Sequence, residues 1–404
     1  MSAVEIVATV AAAAVAAPPV ALTLAFVVEV VAGLRVPPPA PAPPALTPPP
    51  SPAAAGPRAV IVMPAHDEGP IIAATVARLL PELPAGFELL VVADNCRDDT
   101  AAIAEAAGAT VVRRDDPTRR GKGYALAHAR DSLAARAPES RPAVVMVLDA
   151  DGATDRASLA AMAARATERP VQAVNLLAPD LTAAPMVQVS NFAFVIKNLV
   201  RQTGLARLAG RANLTGTGMA FPWPIFRDAP LATADIVEDL ALGLDLARRG
   251  ALPGFVREAT VWSAASNAAG TLQQRTRWEG GFLATSLRRA LPAMASALRR
   301  GDARDGWAGL SLAIPPLTLL LMVDLAALLV AALLVLAGAS AWPAAVLAVA
   351  MAAAAVALLV AWRRVGRAFL SPGAAARLPL YVLWKIPLYL KLLGGRPTAW
   401  LRAR

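Results

Sequence analysis

The stretch Ala143-Val-Val-Met-Val-Leu-Asp-Ala-Asp151 is a short apolar run that stops on two carboxylates, Asp149 and Asp151. Its length and its valines suit a strand buried on both faces, and carboxylates at i and i+2 then share one face at the strand's end. Upstream, similar runs recur at residues 59–64, 87–93 and 110–113, separated by helical patterns at 71–80 and 100–107, with a further one at 123–135. Strands alternating with helices predict an α/β fold, a mostly parallel sheet covered on both faces. Sheets of this kind take their ligands at the carboxyl ends of the strands. The polar residues gather there: His66-Asp67-Glu68 after the first run, Asp94-Asn95 after the second, and Asp149 and Asp151 after the last.

Around this block the composition changes. The chain has 404 residues, 57% of them hydrophobic and only 17% charged, which fits a soluble domain joined to membrane segments. Residues 4–34 form a nearly uncharged run broken by Pro18-Pro19 and Glu29. It has neither a basic start nor a cleavage site, so it predicts a retained membrane helix kinked at the prolines, with a short helical hairpin as the alternative. Residues 37–57, largely proline and alanine, predict a stiff spacer. Past Gly301, residues 317–337 and 342–362 are long and apolar enough to cross a bilayer, and 378–393, with Lys385 and Lys391, reads as an interfacial helix. The expected organisation is therefore an N-terminal membrane segment (1–36), a linker (37–57), an α/β domain (58–306) and a C-terminal membrane region (307–404). Arg299, Arg300 and Arg304 precede the hairpin and Arg363, Arg364 and Arg367 follow it, so the positive-inside rule puts the polar block on the cytoplasmic side.

The net charge of +10 points to anionic partners, but no basic stripe is interleaved with aromatics, which disfavours nucleic acid and leaves anionic lipids and diphosphates. A single cysteine, Cys96, excludes an internal disulfide and a cysteine zinc site, so any metal here has to be oxygen-ligated.

Five groups of residues are candidates for chemistry. Asp149 and Asp151 suit Mg²⁺ or Mn²⁺ bridging a diphosphate; a solvated turn capping the next helix is the plainer reading. Gly121-Lys122-Gly123 opens a helix where free N–H groups and a lysine can meet phosphate, although the spacing from Asp116 is not that of a Walker loop. Gly216-Thr217-Gly218 lacks the third glycine of a dinucleotide fingerprint, since Phe221 stands there. Glu238 and Asp239 either complement a helix dipole or supply a general base. In Gln274-Arg275-Thr276-Arg277-Trp278, the residues Gln274, Arg277 and Trp278 share one helical face. They suit a departing diphosphate and a stacked sugar, or equally a basic helix beside a membrane.

Taken in order, Pro-Ala-His-Asp-Glu at 64–68, Asp94-Asn95, Arg-Gly-Lys-Gly at 120–123, Asp-Ala-Asp at 149–151, Thr-Gly-Thr-Gly at 215–218, Glu238-Asp239 and Gln-Arg-Thr-Arg-Trp at 274–278 closely resemble the family 2 glycosyltransferases, in their cellulose-synthase-like branch. The resemblance covers about residues 58–289 and the membrane layout. It implies a GT-A fold and an inverting transfer from a nucleotide-sugar donor, with UDP the expected nucleotide. By motif, Ala65, Glu68 and Asp94 would contact the nucleoside, Lys122 the base or phosphates, and Asp151 the metal, with Asp149 beside it on the nucleotide side. Asp239, paired with Glu238, would be the base. Gln274, Arg277 and Trp278 would hold the diphosphate and the acceptor sugar, with Thr217 and Gly218 on the acceptor side. His66 and Asp67 depart from the commoner Tyr-Asn-Glu-Glu wording of the first motif. The implied acceptor is a glycan or a polyprenyl or other lipid-linked hydroxyl, in a bacterial-type inner membrane. Two C-terminal crossings are few for a self-contained channel, so release calls for either a separate export subunit or single addition to a carrier. The competing classes are a catalytically silent, membrane-tethered nucleotide-binding scaffold and a sugar nucleotidyltransferase.

Overall fold

The computed structural model describes residues 2–35, 58–233, 237–264 and 268–394, with the backbone alone over 268–277 and 391–394. The spacer expected at 37–57 lies outside the described residues. Two compact units form, one from residues 58–179 and 210–264, the other from 2–35, 180–209 and 268–394.

The first unit is built on eight strands: β1 (Ala59–Ala65), β2 (Phe87–Asp94), β3 (Thr110–Arg114), β4 (Val144–Val147), β5 (Gly152–Ala153), β6 (Val171–Leu177), β7 (Met219–Pro222) and β8 (Gly254–Ser263). They lie in the order β3-β2-β1-β4-β7-β6-β8-β5. The run β3-β2-β1-β4 is parallel throughout, as the alternation of strand and helix predicts. Beyond it β7 pairs antiparallel with both β4 and β6, β6 and β8 are parallel, and the two-residue β5 closes the edge antiparallel to β8. Alternate residues of each central strand serve opposite faces. Ile61, Met63, Val91 and Met146 pack with Ile72, Val76, Leu159 and Met162 on one side. Val60, Val62, Val92 and Val145 pack with Leu126, Leu133, Phe226 and Leu242 on the other. Two buried faces explain why these strands read as unbroken apolar runs.

The second unit is helical. Among the described residues, three helices are long and apolar enough to cross a membrane: Ala3–Gly33, Leu317–Leu336 and Trp342–Gly366. The N-terminal run is one helix through Pro18 and Pro19, so the hairpin alternative is not formed. Prolines are tolerated in such helices because neighbouring groups satisfy the freed backbone. Thr9 Oγ1 accepts from the Ser340 N–H (2.9 Å), Thr23 Oγ1 donates to Asp324 (2.8 Å), and Arg364 donates to the Leu34 carbonyl (2.9 Å). These contacts put the connection at 338–340 beside the start of the first helix and the arginines 363–364 beside its end.

That end of the first helix is docked backbone to backbone. A Cβ on Gly204 would fall 2.1 Å from the Glu29 carbonyl oxygen, and one on Gly33 would fall 1.9 Å from that of Val200. Val200 belongs to a π-helical stretch, Ile196–Arg201, whose Arg201 donates to the fully buried Glu29 at 2.7 Å.

Candidate active site

The site is assembled from the ends of β1, β2 and β4 and from two helix starts. Strand β4 ends at Val147, and the chain turns through Asp149 and Asp151 into β5, with the Gly152 N–H closing the turn on the Asp149 carbonyl at 2.9 Å. Lys122 is the first residue of the helix Lys122–Ala134, entered through Gly121 at φ +133°. Its ammonium pairs with the Asp149 carboxylate and donates to the Gly216 carbonyl at 2.8 Å. Burial alone would depress this ammonium, but the charges of Asp149, Glu238 and Asp239 more than offset that and hold its pKa above the usual lysine value.

Gly216 closes the group. At φ +87° it adopts a conformation that suits glycine, and a Cβ there would sit 3.3 Å from Asp239 Oδ2 and 3.6 Å from Lys122 Nζ. Bare backbone thus faces both Asp239 and Lys122. Glu238 and Asp239 start the helix Glu238–Arg248, as expected. Burial first, and then the charge of Asp239, push Glu238 up to about 8. At neutral pH Glu238 therefore retains a proton.

Thr217 and Gly218, which the resemblance puts on the acceptor side, are placed inside the unit. Thr217 is 2% exposed and its Oγ1 accepts from the Asp149 N–H at 3.1 Å. A Cβ on Gly218 would press on Val261 at 3.0 Å. Beneath them Gln172, wholly buried, donates to the Thr217 carbonyl (2.8 Å) and accepts from the Thr215 N–H (2.9 Å). These residues hold the backbone that positions Asp149.

Among the residues that the resemblance assigns to the nucleoside, Asp94 ends β2 at 5% exposure and accepts from Arg114 at 2.6 Å. Asn95, in the left-handed region at φ +53°, donates to Asp94 and accepts from the Asp116 N–H (2.8 Å). Ala65 ends β1, and Glu68 precedes the helix Gly69–Leu79 with its N–H on Thr100 Oγ1 at 2.8 Å. Asp67 accepts from the Arg97 N–H (2.6 Å) and Asp98 from the Gly69 N–H (3.0 Å), so the loops after β1 and β2 are stitched together. Arg114 and Gln172 escaped the sequence reading. The one available signal for Arg114 was register, since it stands directly opposite Asp94 in the β2–β3 ladder.

Trp278 lies in the other unit, on the helix Ala268–Arg300, its ring tilted 31° against Phe194 with centroids 6.0 Å apart. The side chains of Gln274 and Arg277 lie outside the described residues.

A family model described as glycosyltransferase like family 2 matches residues 57–281. Two curated relatives, uncharacterized glycosyltransferases of Mycobacterium tuberculosis and Mycobacterium bovis, are 37% identical over 105 residues, which is 26% of this chain and 42% of each relative. The chain thus spans less than half the length of these relatives. A solved mannosyltransferase from Pyrobaculum calidifontis, in complex with GDP-mannose and Mn²⁺, has a TM-score of 0.51 at 18% identity, over 95% of both chains. That likeness is one of fold, and the mixed sheet described above is of the GT-A type.

Proposed function

The chain belongs to glycosyltransferase like family 2, and from that premise we propose that it transfers a sugar from a nucleoside-diphosphate donor to a hydroxyl acceptor at a membrane. The observation that carries the reading is the meeting of Lys122, Asp149, Gly216 and Asp239 at the carboxyl edge of the sheet. Burial and the neighbouring Asp239 charge hold Glu238 above the usual carboxylate range, and three carboxyl groups, Asp149, Glu238 and Asp239, act on one lysine. A surplus of hard oxygen donors fits Mg²⁺ or Mn²⁺. Asp149 and Asp151 would hold the ion, whose chemistry when bound is to offset charge on the leaving diphosphate.

Asp239 is the base in this reading. The acceptor oxygen attacks C1 of the donor sugar, the bond from C1 to the diphosphate oxygen breaks, and the acceptor's proton passes to Asp239. One displacement inverts the anomeric centre and needs no enzyme nucleophile. Lys122 meets the phosphates, while Asp94, braced by Arg114, takes the nucleoside together with Ala65 and Glu68. Gln274, Arg277 and Trp278 receive the diphosphate and acceptor sugar, and Thr217 and Gly218 act from beneath by fixing Asp149.

Three helices able to cross a membrane support an acceptor carried at its surface, a glycan or a polyprenyl-linked sugar. The arginines beside the end of the first helix support a cytoplasmic site. The test supplies the purified full chain with membrane lipids, Mg²⁺ or Mn²⁺, and a panel of UDP-sugars and GDP-mannose, and reads products by mass spectrometry. Metal-dependent transfer is expected, reduced by a factor on the order of 10²–10⁴ in Asp239→Asn. Hydrolysis and transfer both absent across the panel would leave the silent scaffold instead.

A further inference from the structure

The helix Leu378–Gly394 carries Tyr381, Lys385 and Tyr389 on one face, spaced by four residues. Lys385 is wholly buried. Its ammonium donates to Glu279 Oε1 at 2.6 Å, and the Tyr389 hydroxyl donates to Glu279 Oε2 at 2.7 Å. The rings of Tyr381 and Tyr389 flank the same ammonium, 5.8 and 5.9 Å from their centroids. Glu279 directly follows Trp278 in the chain. A lysine in the stretch that the sequence reads as an interfacial helix is thus paired inside the protein, with the residue beside the Gln-Arg-Thr-Arg-Trp motif.

We propose that Lys385 and Tyr389 are positioning residues which fix the rotation and axial register of the Ala268–Arg300 helix at Trp278, and so aim that motif. The inference rests on the transferase reading of Gln274, Arg277 and Trp278 given above. Apolar packing alone would hold two helices together as well as an ion pair does, often better. What a buried ion pair adds is a penalty for every arrangement that separates the charges, which selects one register. Glu279 is held by both oxygens, so sliding or rolling the helix breaks at least one of the two bonds. Next to it Trp278 leans on Phe194, so adjacent residues of the same helix are gripped by two different neighbours. A helix held in this way presents its motif face in one orientation.

The test uses the full chain in lipid nanodiscs, labelled with 5-fluorotryptophan, with the Trp278 resonance assigned by Trp278→Phe and Trp262 of β8 as the internal control. Lys385→Met is expected to move or split the Trp278 signal and leave that of Trp262 in place. It should lower kcat roughly tenfold or more while the donor KM stays within about threefold, the pattern of a lost transition-state alignment. Exchanging the charges, Glu279→Lys with Lys385→Glu, is expected to restore most of both readouts. Tyr389→Phe keeps the ring and removes one bond, and carries the test if Lys385→Met does not accumulate. An unmoved Trp278 signal, or an unchanged kcat, in these variants overturns the positioning role. A Trp278 signal that moves in a protein whose wild type transfers no sugar overturns the proposed function and leaves the mechanical coupling standing.

Discussion

Glu238 and Asp239 are neighbours of the same charge type whose surroundings divide their work. With Glu238 pushed up to about 8, it is neutral at pH 7 and ionises only as pH rises through that value. Glu238→Gln substitutes one neutral group for another, so at pH 7 its transfer rate should stay within about threefold of wild type, whereas Asp239→Asn removes the base itself. The two proteins should part above pH 8, where wild type gains a charge and the amide does not; pH profiles of kcat read this directly. A large loss in Glu238→Gln at pH 7 would mean that the carboxylate roles are reversed. Asp149, Asp151, Lys122 and Asp239 were legible in the sequence because strand ends and helix starts can be read from local pattern. Their supports, Gln172 and Arg114, were not, since each acts across strands and neither stands in a polar cluster.

Among the elements, the parallel half of the sheet was legible from alternation alone, while the antiparallel β7 between β4 and β6 was not. Periodicity reports which faces of a strand are buried and says nothing of its neighbour's direction. The parallel half also carries a clamp: Arg136, just past the helix Lys122–Ala134, donates twice to Glu88 of β2, at 2.7 and 2.8 Å. The hydrogen bonds from Arg136 hold the Glu88 carboxyl below its ordinary value. A carboxylate with a depressed folded pKa contributes stability above its unfolded value, and that contribution is lost as pH falls through the folded one. Glu88→Gln should therefore lower the melting temperature at pH 7, and the difference from wild type should shrink as pH drops below about 4. In the helical unit, Gly204→Ala forces a methyl group onto the Glu29 carbonyl and should cost about 1–3 kcal/mol in the thermal unfolding of detergent-solubilised protein. An unchanged melting curve would mean that the contact is not formed in solution.

At the scale of the whole chain, the three membrane-type helices were legible from hydropathy, and their mutual register was not. Thr9 at residue 340 and Leu34 at Arg364 align the ends of the first and last of them. With arginines 363 and 364 on the cytoplasmic side, alkaline phosphatase fused after Gly338 should be active in cells and the same enzyme fused after Arg367 should be silent. The reverse pattern would place the sugar-transfer chemistry on the outer face. The pairing of Glu29 with Arg201 also sets an order in time. The two residues are 172 positions apart, so Glu29 leaves the ribosome well before its guanidinium partner exists. At about 5–20 residues per second that interval is roughly ten to thirty seconds. Throughout it Glu29 lacks its ion-pair partner, and the first helix lacks the Val200 and Gly204 backbone on which it docks. The docking of this end of the first helix is thus a late event, finished only when Val200, Arg201 and Gly204 have been synthesised.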